Sequence, residues 1–260
     1  VVSYLLHYAI FNDNVNIAIL ANKASTARDL LGRLQLAYEN LPRWMQQGII
    51  SWNKGSLEIE NGSKIIFTVD CGTLSFEPVK EAQKKNVDVI VLDHHQSDLK
   101  LPNACAIVNP NRYDDTSQLN YLSAAGVCFM FLVGLNKKLR DVNWFADNKI
   151  VEPNILNFLD LVSLGTVCDV VPLIDLNRAI VKQGLKIFKK RMNLGLKTLY
   201  DLCKIESQPT TYHLGYVIGP RINAGGRVGK SSHGAELLIS DDPQRTFQIA
   251  NELNKYNKER

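Results

Sequence analysis

Two apolar segments that each end in an acid constrain the fold of this chain more than any other feature. "KIIFTVD" (residues 64–70) and "VDVIVLD" (87–93) read as buried strands, and "FEPVKEAQKK" between them reads as a short helix. Strand, helix and strand at this spacing form a βαβ unit, whose strands run parallel with a right-handed crossover. Both strands then deliver their acids, Asp70 and Asp93, to one carboxyl edge, the edge where open α/β sheets bind ligands. "ACAIVNP" reads as a further strand.

Asp93 is followed directly by His94 and His95. Three metal-competent side chains at a strand mouth are costly to desolvate unless something charged sits among them. A fourth candidate, Asp169, lies in "GTVCDVVPL" after a segment with helical spacing at Ile155, Leu156, Leu159, Val162 and Leu164. Carboxylate and imidazole together suit Mn²⁺, Mg²⁺, Fe²⁺ or Zn²⁺, and no cysteine at ligand-like spacing favours zinc. Two adjacent histidines on an extended chain point to opposite faces, so one ring is expected on a metal and its neighbour towards substrate. The competing reading makes each acid a helix cap or a solvated strand end; three segments closing in acids at functional edges weigh against it.

"GPRINAGGRVGKSS" (219–232) reads as a glycine-rich loop whose N–H groups could approach an anion, with Arg221, Arg227 and Lys230 as charged donors. Within it "AGGRVGKS" matches a loose P-loop pattern. A P-loop must follow a buried strand, and Pro220, Arg221 and Asn223 spoil that strand, so the nucleotide reading is disfavoured. An ordinary glycine-rich turn is the remaining reading.

Composition excludes little. Apolar residues make up 45% and charged residues 22% of 260, as in an ordinary globular chain of one large or two modest domains. A net charge of +4 permits a nucleic-acid or phosphate partner without requiring one. Cys71, Cys105, Cys128, Cys168 and Cys203 are odd in number and form no CxxC pair, which argues against a disulfide framework and fits a reducing, cytoplasmic setting. The apolar run from Ala124 to Leu135 is shorter than the ~20 residues of a membrane span. It reads as a buried helix with Ser123 as N-cap and Lys137, Lys138 and Arg140 at its C-terminus, so no membrane partner is expected. Helices are expected through "NRAIVKQGLKIFKKR", "GLKTLYDLCKI" and "PQRTFQIANELNKYNKER". The chain opens at Val1 without a signal-peptide pattern and reads as a fragment.

In the first 65 residues, "NIAILA" reads as a strand and "STARDLLGRLQLAYENL" as an amphipathic helix. "GIISWNKGSLEIENGSKIIF" reads as a hairpin turning at Asn61-Gly62. Residues 63–67 are thus claimed both by the hairpin and by the strand reaching Asp70, which suggests a seam near Lys64–Phe67.

"TVDCG", "VIVLDHH", "LPNACAIVNPN", "LSAAGVCF", "DLVSLGTVCDVVPL" and "LGYVIGPRINAGGR" resemble, in order and spacing, the DHH phosphoesterases, and within them the RecJ-type single-strand-specific 5′ exonucleases. The resemblance covers about residues 66–260. It implies an α/β fold with a parallel-sheet core, helices on both faces and a mainly helical segment following. It implies Asp70, His94 and Asp169 as metal ligands, Asp93 orienting a ligand, His95 facing the scissile phosphate, and Arg221, Asn223 and Arg227 contacting substrate phosphate. It also implies single-stranded DNA as substrate and a two-metal site for Mn²⁺ or Mg²⁺.

The family's first motif, an Asp-x-Asp pair, is missing upstream of Asp70, where the acids are Asp13, Asp29, Glu39, Glu58 and Glu60. The downstream DHHA1 and OB domains are missing too. Residues 1–65 instead resemble part of a phage large terminase ATPase, after its P-loop. The expected organisation is a chimera of a 1–65 terminase-like fragment and a 66–260 DHH domain, with impaired turnover, a catalytically inactive nucleic-acid-binding module, or a terminase-like ATPase fragment as outcomes.

Overall fold

The computed structural model describes residues 15–20, 49–53, 56–59, 64–85, 87–228, 230 and 232–259, with side chains from Ile65 onward apart from Arg227. The helix expected over residues 25–41 and the Asn61-Gly62 turn lie outside the described residues. The chain divides into two compact units, Val1–Asn120 and Tyr121–Arg260.

The first unit is built on four parallel strands in the order β1-β4-β5-β6: β1 (Val15–Leu20), β4 (Lys64–Val69), β5 (Asp88–Leu92) and β6 (Ala106–Val108). Helix α1 (Phe76–Lys84) makes the crossover from β4 to β5, as the βαβ pattern predicts. Val79 and Ala82 of α1 pack on Val89 and Val91 of β5, with Ile66 and Ile107 beside them, which is the continuous apolar burial a parallel sheet demands.

The hairpin is a correction. The antiparallel pair is β2 (Ile49–Asn53) with β3 (Ser56–Ile59), in register Trp52 to Leu57 and Asn53 to Ser56. The antiparallel partner of β2 is therefore β3, the next strand in sequence, and not an arm following Asn61-Gly62. β4 does not pair back on β3; it lies between β1 and β5 in the parallel sheet, which resolves the double claim on residues 63–67.

The second unit is helical among its described residues: α2 (Ala124–Asp141), α3 (Trp144–Asp147), a 3₁₀ turn (Ile155–Phe158), α4 (Leu159–Cys168), α5 (Asp175–Lys189) and α6 (Leu194–Leu202). A π-helical turn (His213–Ile218), α7 (Gly219–Arg227), α8 (Ser232–Ile239) and α9 (Pro243–Lys258) follow. Helix α2 starts where expected: the Ser123 hydroxyl accepts the Gly126 N–H at 3.1 Å and lies 3.1 Å from the Thr166 hydroxyl of α4. Two apolar clusters hold the unit together, Phe129, Leu159, Val162 and Ile180 in one, and Leu199, Leu214, Ile218, Leu237, Ile249 and Leu253 in the other. Helices α4 and α5 approach closely because Gly184 has no side chain: a Cβ there would lie 2.2 Å from the Leu159 carbonyl and 2.5 Å from the Ser163 side chain. None of the described helices is long and apolar enough to cross a membrane.

The glycine-rich stretch is a second correction. Residues 219–227 form helix α7, not a loop, and "AGGRVGKS" straddles its C-terminal end with no strand before it. Two of its glycines sit in close packing: a Cβ on Gly219 would lie 2.3 Å from Cys168 Sγ of α4, and one on Gly225 would lie 2.5 Å from the Lys230 carbonyl and 3.1 Å from the Leu253 side chain of α9. The P-loop reading therefore fails on geometry as well as on sequence.

Two substitutions test this packing. Gly184→Ala is expected to destabilise the protein by about 1–3 kcal/mol through overpacking between α4 and α5. Ser123→Ala is expected to cost about 1–2 kcal/mol through loss of the buried cap. Urea denaturation followed by circular dichroism checks both, and an unchanged midpoint for either would contradict the packing described.

Candidate metal centre

Parallel β4 and β5 end side by side, and the chain turns sharply after each. Asp70 takes a left-handed backbone, with φ 62°, and donates its N–H to the Leu92 carbonyl at 3.0 Å. Two residues on, Gly72 has φ 116°, and a Cβ there would sit 2.3 Å from the Thr68 hydroxyl, so only glycine fits. This turn returns Thr73 beneath the end of β5, where its N–H (3.0 Å) and hydroxyl (2.7 Å) both donate to Asp93 Oδ2.

Asp93 is 2% exposed and is the fixed point of the site. Its Oδ1 accepts the backbone N–H of His94 at 2.8 Å and of His95 at 3.2 Å, and lies 2.7 Å from His95 Nδ1. Burial alone would raise its pKa, but the bonds from His95 and Thr73 outweigh burial and hold it at about 2. An ionised carboxylate only accepts, which assigns the proton to His95 Nδ1 and leaves a neutral ring its Nε2 lone pair.

His94 Nε2 lies 3.3 Å from Asp70 Oδ1, and the rings of His94 and His95 meet edge-on with centroids 4.8 Å apart. Asp70, His94 and His95 each place a ligand-capable atom within 4.8 Å of the others. The chain leaves the extended conformation at Asp93, so the condition for opposite faces is not met and both histidines join one cluster. The donor set of one carboxylate and two imidazoles fits a divalent transition ion such as Mn²⁺ better than the oxygen-rich shell that Mg²⁺ prefers. Cys71 adjoins the cluster, and burial together with the Asp93 and Asp70 carboxylates raises its pKa.

The remaining predicted residues lie in the second unit. Asp169 is the C-cap of α4 and donates its N–H to the Gly165 carbonyl at 3.0 Å; Val170, next to it, is 87% exposed with φ 60°, an unusual backbone for a β-branched residue. Arg221 on α7 gives Nε to Asn254 Oδ1 at 3.0 Å and a terminal nitrogen to the Val217 carbonyl at 2.7 Å, which ties α7 to α9 and to the turn before it. Asn223 is exposed on the same helix, which also carries Arg227. Thr73, Asn109 and Asn111 went unmarked in the sequence because a threonine or asparagine beside a strand end resembles any turn residue. Asn109, 3% exposed, donates to the Thr73 hydroxyl at 2.8 Å.

Asp93→Asn turns an all-acceptor group into one that presents N–H to other donors. The expected loss is about 1–3 kcal/mol of stability, read by thermal and urea denaturation of the protein without metal. An unchanged stability would contradict the five-donor arrangement around Asp93.

Comparison with known proteins places these residues in a family. The sequence model of the DHH family, N-terminal domain, matches residues 1–166. The single-stranded-DNA-specific exonuclease RecJ of Salmonella typhimurium is 35% identical over 265 residues, covering 97% of this chain and 46% of that protein. RecJ of Escherichia coli is 39% identical over 201 residues, covering 76% of this chain and 35% of its own length. Among solved structures, exonuclease RecJ bound to manganese superposes with a TM-score of 0.69 at 25% identity, over 99% of this chain and 65% of that one. RecJ from Thermus thermophilus in complex with Mn²⁺ gives 0.68 at 25%, over 99% of this chain and 37% of that one. The chain thus spans less than half the length of these curated relatives. The match over residues 1–166 takes in both strand-end acids and the Asp-His-His tandem, and the chain belongs to the DHH family.

Proposed function

We propose that this chain carries the catalytic core of a metal-dependent, single-stranded-DNA-specific exonuclease. It would hydrolyse the 5′-terminal phosphodiester and release 5′-mononucleotides in DNA repair or recombination. The observation that carries this reading is the convergence of Asp70, His94 and His95 on the carboxyl edge of a parallel sheet, with the buried Asp93 carboxylate fixing their backbone. The single-stranded-DNA specificity of the curated relatives suggests the substrate class, and the Mn²⁺-bound structures suggest the metal.

In this reading Asp70 and His94 hold a divalent cation, with Asp169 as a further ligand. Asp93 positions both histidines, and His95 turns its Nε2 to the metal or to the phosphate beside it. Mn²⁺ or Mg²⁺ bound there would activate a water molecule and offset charge on the phosphoryl oxygens. Arg221, Asn223 and Arg227 would contact or support the substrate phosphate, with Arg221 held in place by its bonds to Val217 and Asn254. Five free cysteines fit a reducing, cytoplasmic setting.

A second reading, an inactive nucleic-acid-binding module, is favoured by one observation: residues 1–65 hold no Asp-x-Asp pair. The chimeric origin of residues 1–65 is a separate proposal. Their resemblance to a terminase supports it; the parallel pairing of β1 with β4 and the family match from residue 1 favour one continuous domain. A source locus holding separate intact terminase and exonuclease reading frames would rule out a natural fusion.

A 5′-labelled single-stranded oligonucleotide incubated with the protein and Mn²⁺ distinguishes the main readings. The exonuclease reading predicts 5′-mononucleotide release that EDTA abolishes, at a rate reduced at least about 100-fold in an Asp70→Ala, His94→Ala variant. Oligonucleotide binding without any product would support the inactive module and contradict the exonuclease.

A further inference from the structure

We infer that Asn109 and Asn111, on the loop after β6, are positioning residues that set the affinity of the Asp70–His94–His95 centre for a divalent cation by holding the main chain of both histidines. The inference rests on the metal reading given above.

The need for such residues is physical. Beyond Asp93 the chain leaves the sheet, so the carbonyls of His94 and His95 lose the ladder partners that a strand would supply. Asn111 Nδ2 donates to the His94 carbonyl at 2.6 Å, and Asn109 Nδ2 donates to the His95 carbonyl at 2.8 Å. Each amide group uses its second proton as well. Asn109 gives its own to the Thr73 hydroxyl at 2.8 Å, and Asn111 gives its own to the Asn120 carbonyl at 3.2 Å. Asn109 Oδ1 accepts the Asn111 N–H at 2.8 Å, so the two asparagines also fix each other. The register of the sheet brings them there, because the Asp93 N–H bonds the Val108 carbonyl at 3.1 Å.

The tandem is therefore held from both sides. Asp93 accepts the two histidine N–H groups, and the asparagines donate to the two histidine carbonyls. A short side chain with two donors and an acceptor on one planar group is what these contacts require; aspartate has the shape but no donor. Metal ligands need backbone placement of this kind because a displacement of about 0.5 Å degrades a coordination site.

The test compares the parent protein with Asn111→Ala and Asn111→Asp, using Asn193→Ala as a control. Asn193 caps α6 and bonds the Leu238 carbonyl, both within the second unit, so its loss lowers stability without touching the centre. Mn²⁺ affinity is read by calorimetry, and amide hydrogen exchange at residues 93–96 is read on the protein without metal.

Both Asn111 variants are expected to bind Mn²⁺ about 10–100-fold more weakly than the parent. They are also expected to exchange the His95 amide about tenfold faster, with the amides of β4 and β5 unchanged. Asn193→Ala is expected to lower the melting temperature with both readouts at parental values. Parental Mn²⁺ affinity in both Asn111 variants, or a loss no larger than that of the control, would overturn the inference. A parent protein that fails to bind Mn²⁺ overturns the metal reading and the affinity claim together, while exchange at His95 still decides whether the asparagines hold the histidines.

Discussion

A charged carboxylate buried to 2% exposure is tolerable only when its oxygens are fully engaged, and the arrangement around Asp93 follows from that requirement. Two donors come from Thr73 and three from His94 and His95. The first pair fastens the turn after β4 to the end of β5, and the rest fold the two histidines back over the sheet edge. One anion therefore determines where Asp70, His94 and His95 stand, and it selects the His95 tautomer protonated on Nδ1. Protonating or deleting it would release two loops at once. The low pKa of Asp93 expresses the same energetics, because bonding outweighs the burial that would otherwise favour the neutral acid.

The first unit places the Asp70, His94 and His95 cluster on strand ends. The second carries Asp169 at the C-terminus of α4 and the polar residues of α7, and its helices are set by glycine contacts at Gly184 and Gly234 rather than by loops. Asp70, at the end of β4, holds a left-handed backbone that turns the chain out of the sheet at the cluster.

Much of the first unit was legible in the sequence because a parallel βαβ unit writes a long signal: two continuous apolar runs, an amphipathic helix between them, and acids at matching ends. The Ser123 cap was legible for a similar reason, since a hydroxyl directly before an apolar helical run has few other uses there. The hairpin position was misread because Asn-Gly is a strong local turn signal, whereas β4 is claimed by parallel partners far apart in sequence. The stretch 219–232 was misread because glycines that let helices approach look the same in sequence as glycines of an anion-binding loop. Thr73, Asn109 and Asn111 stayed silent because their roles exist only once β4, β5 and β6 lie side by side.

Anomalous X-ray scattering at the manganese edge, from crystals of this protein grown with Mn²⁺, locates the ion. A peak is expected within about 2.5 Å of an Asp70 carboxylate oxygen and a His94 imidazole nitrogen, with Asp93 uncoordinated and still bonded to Thr73 and His95. A peak elsewhere on the molecule, or Asp93 itself drawn onto the metal, would contradict this placement.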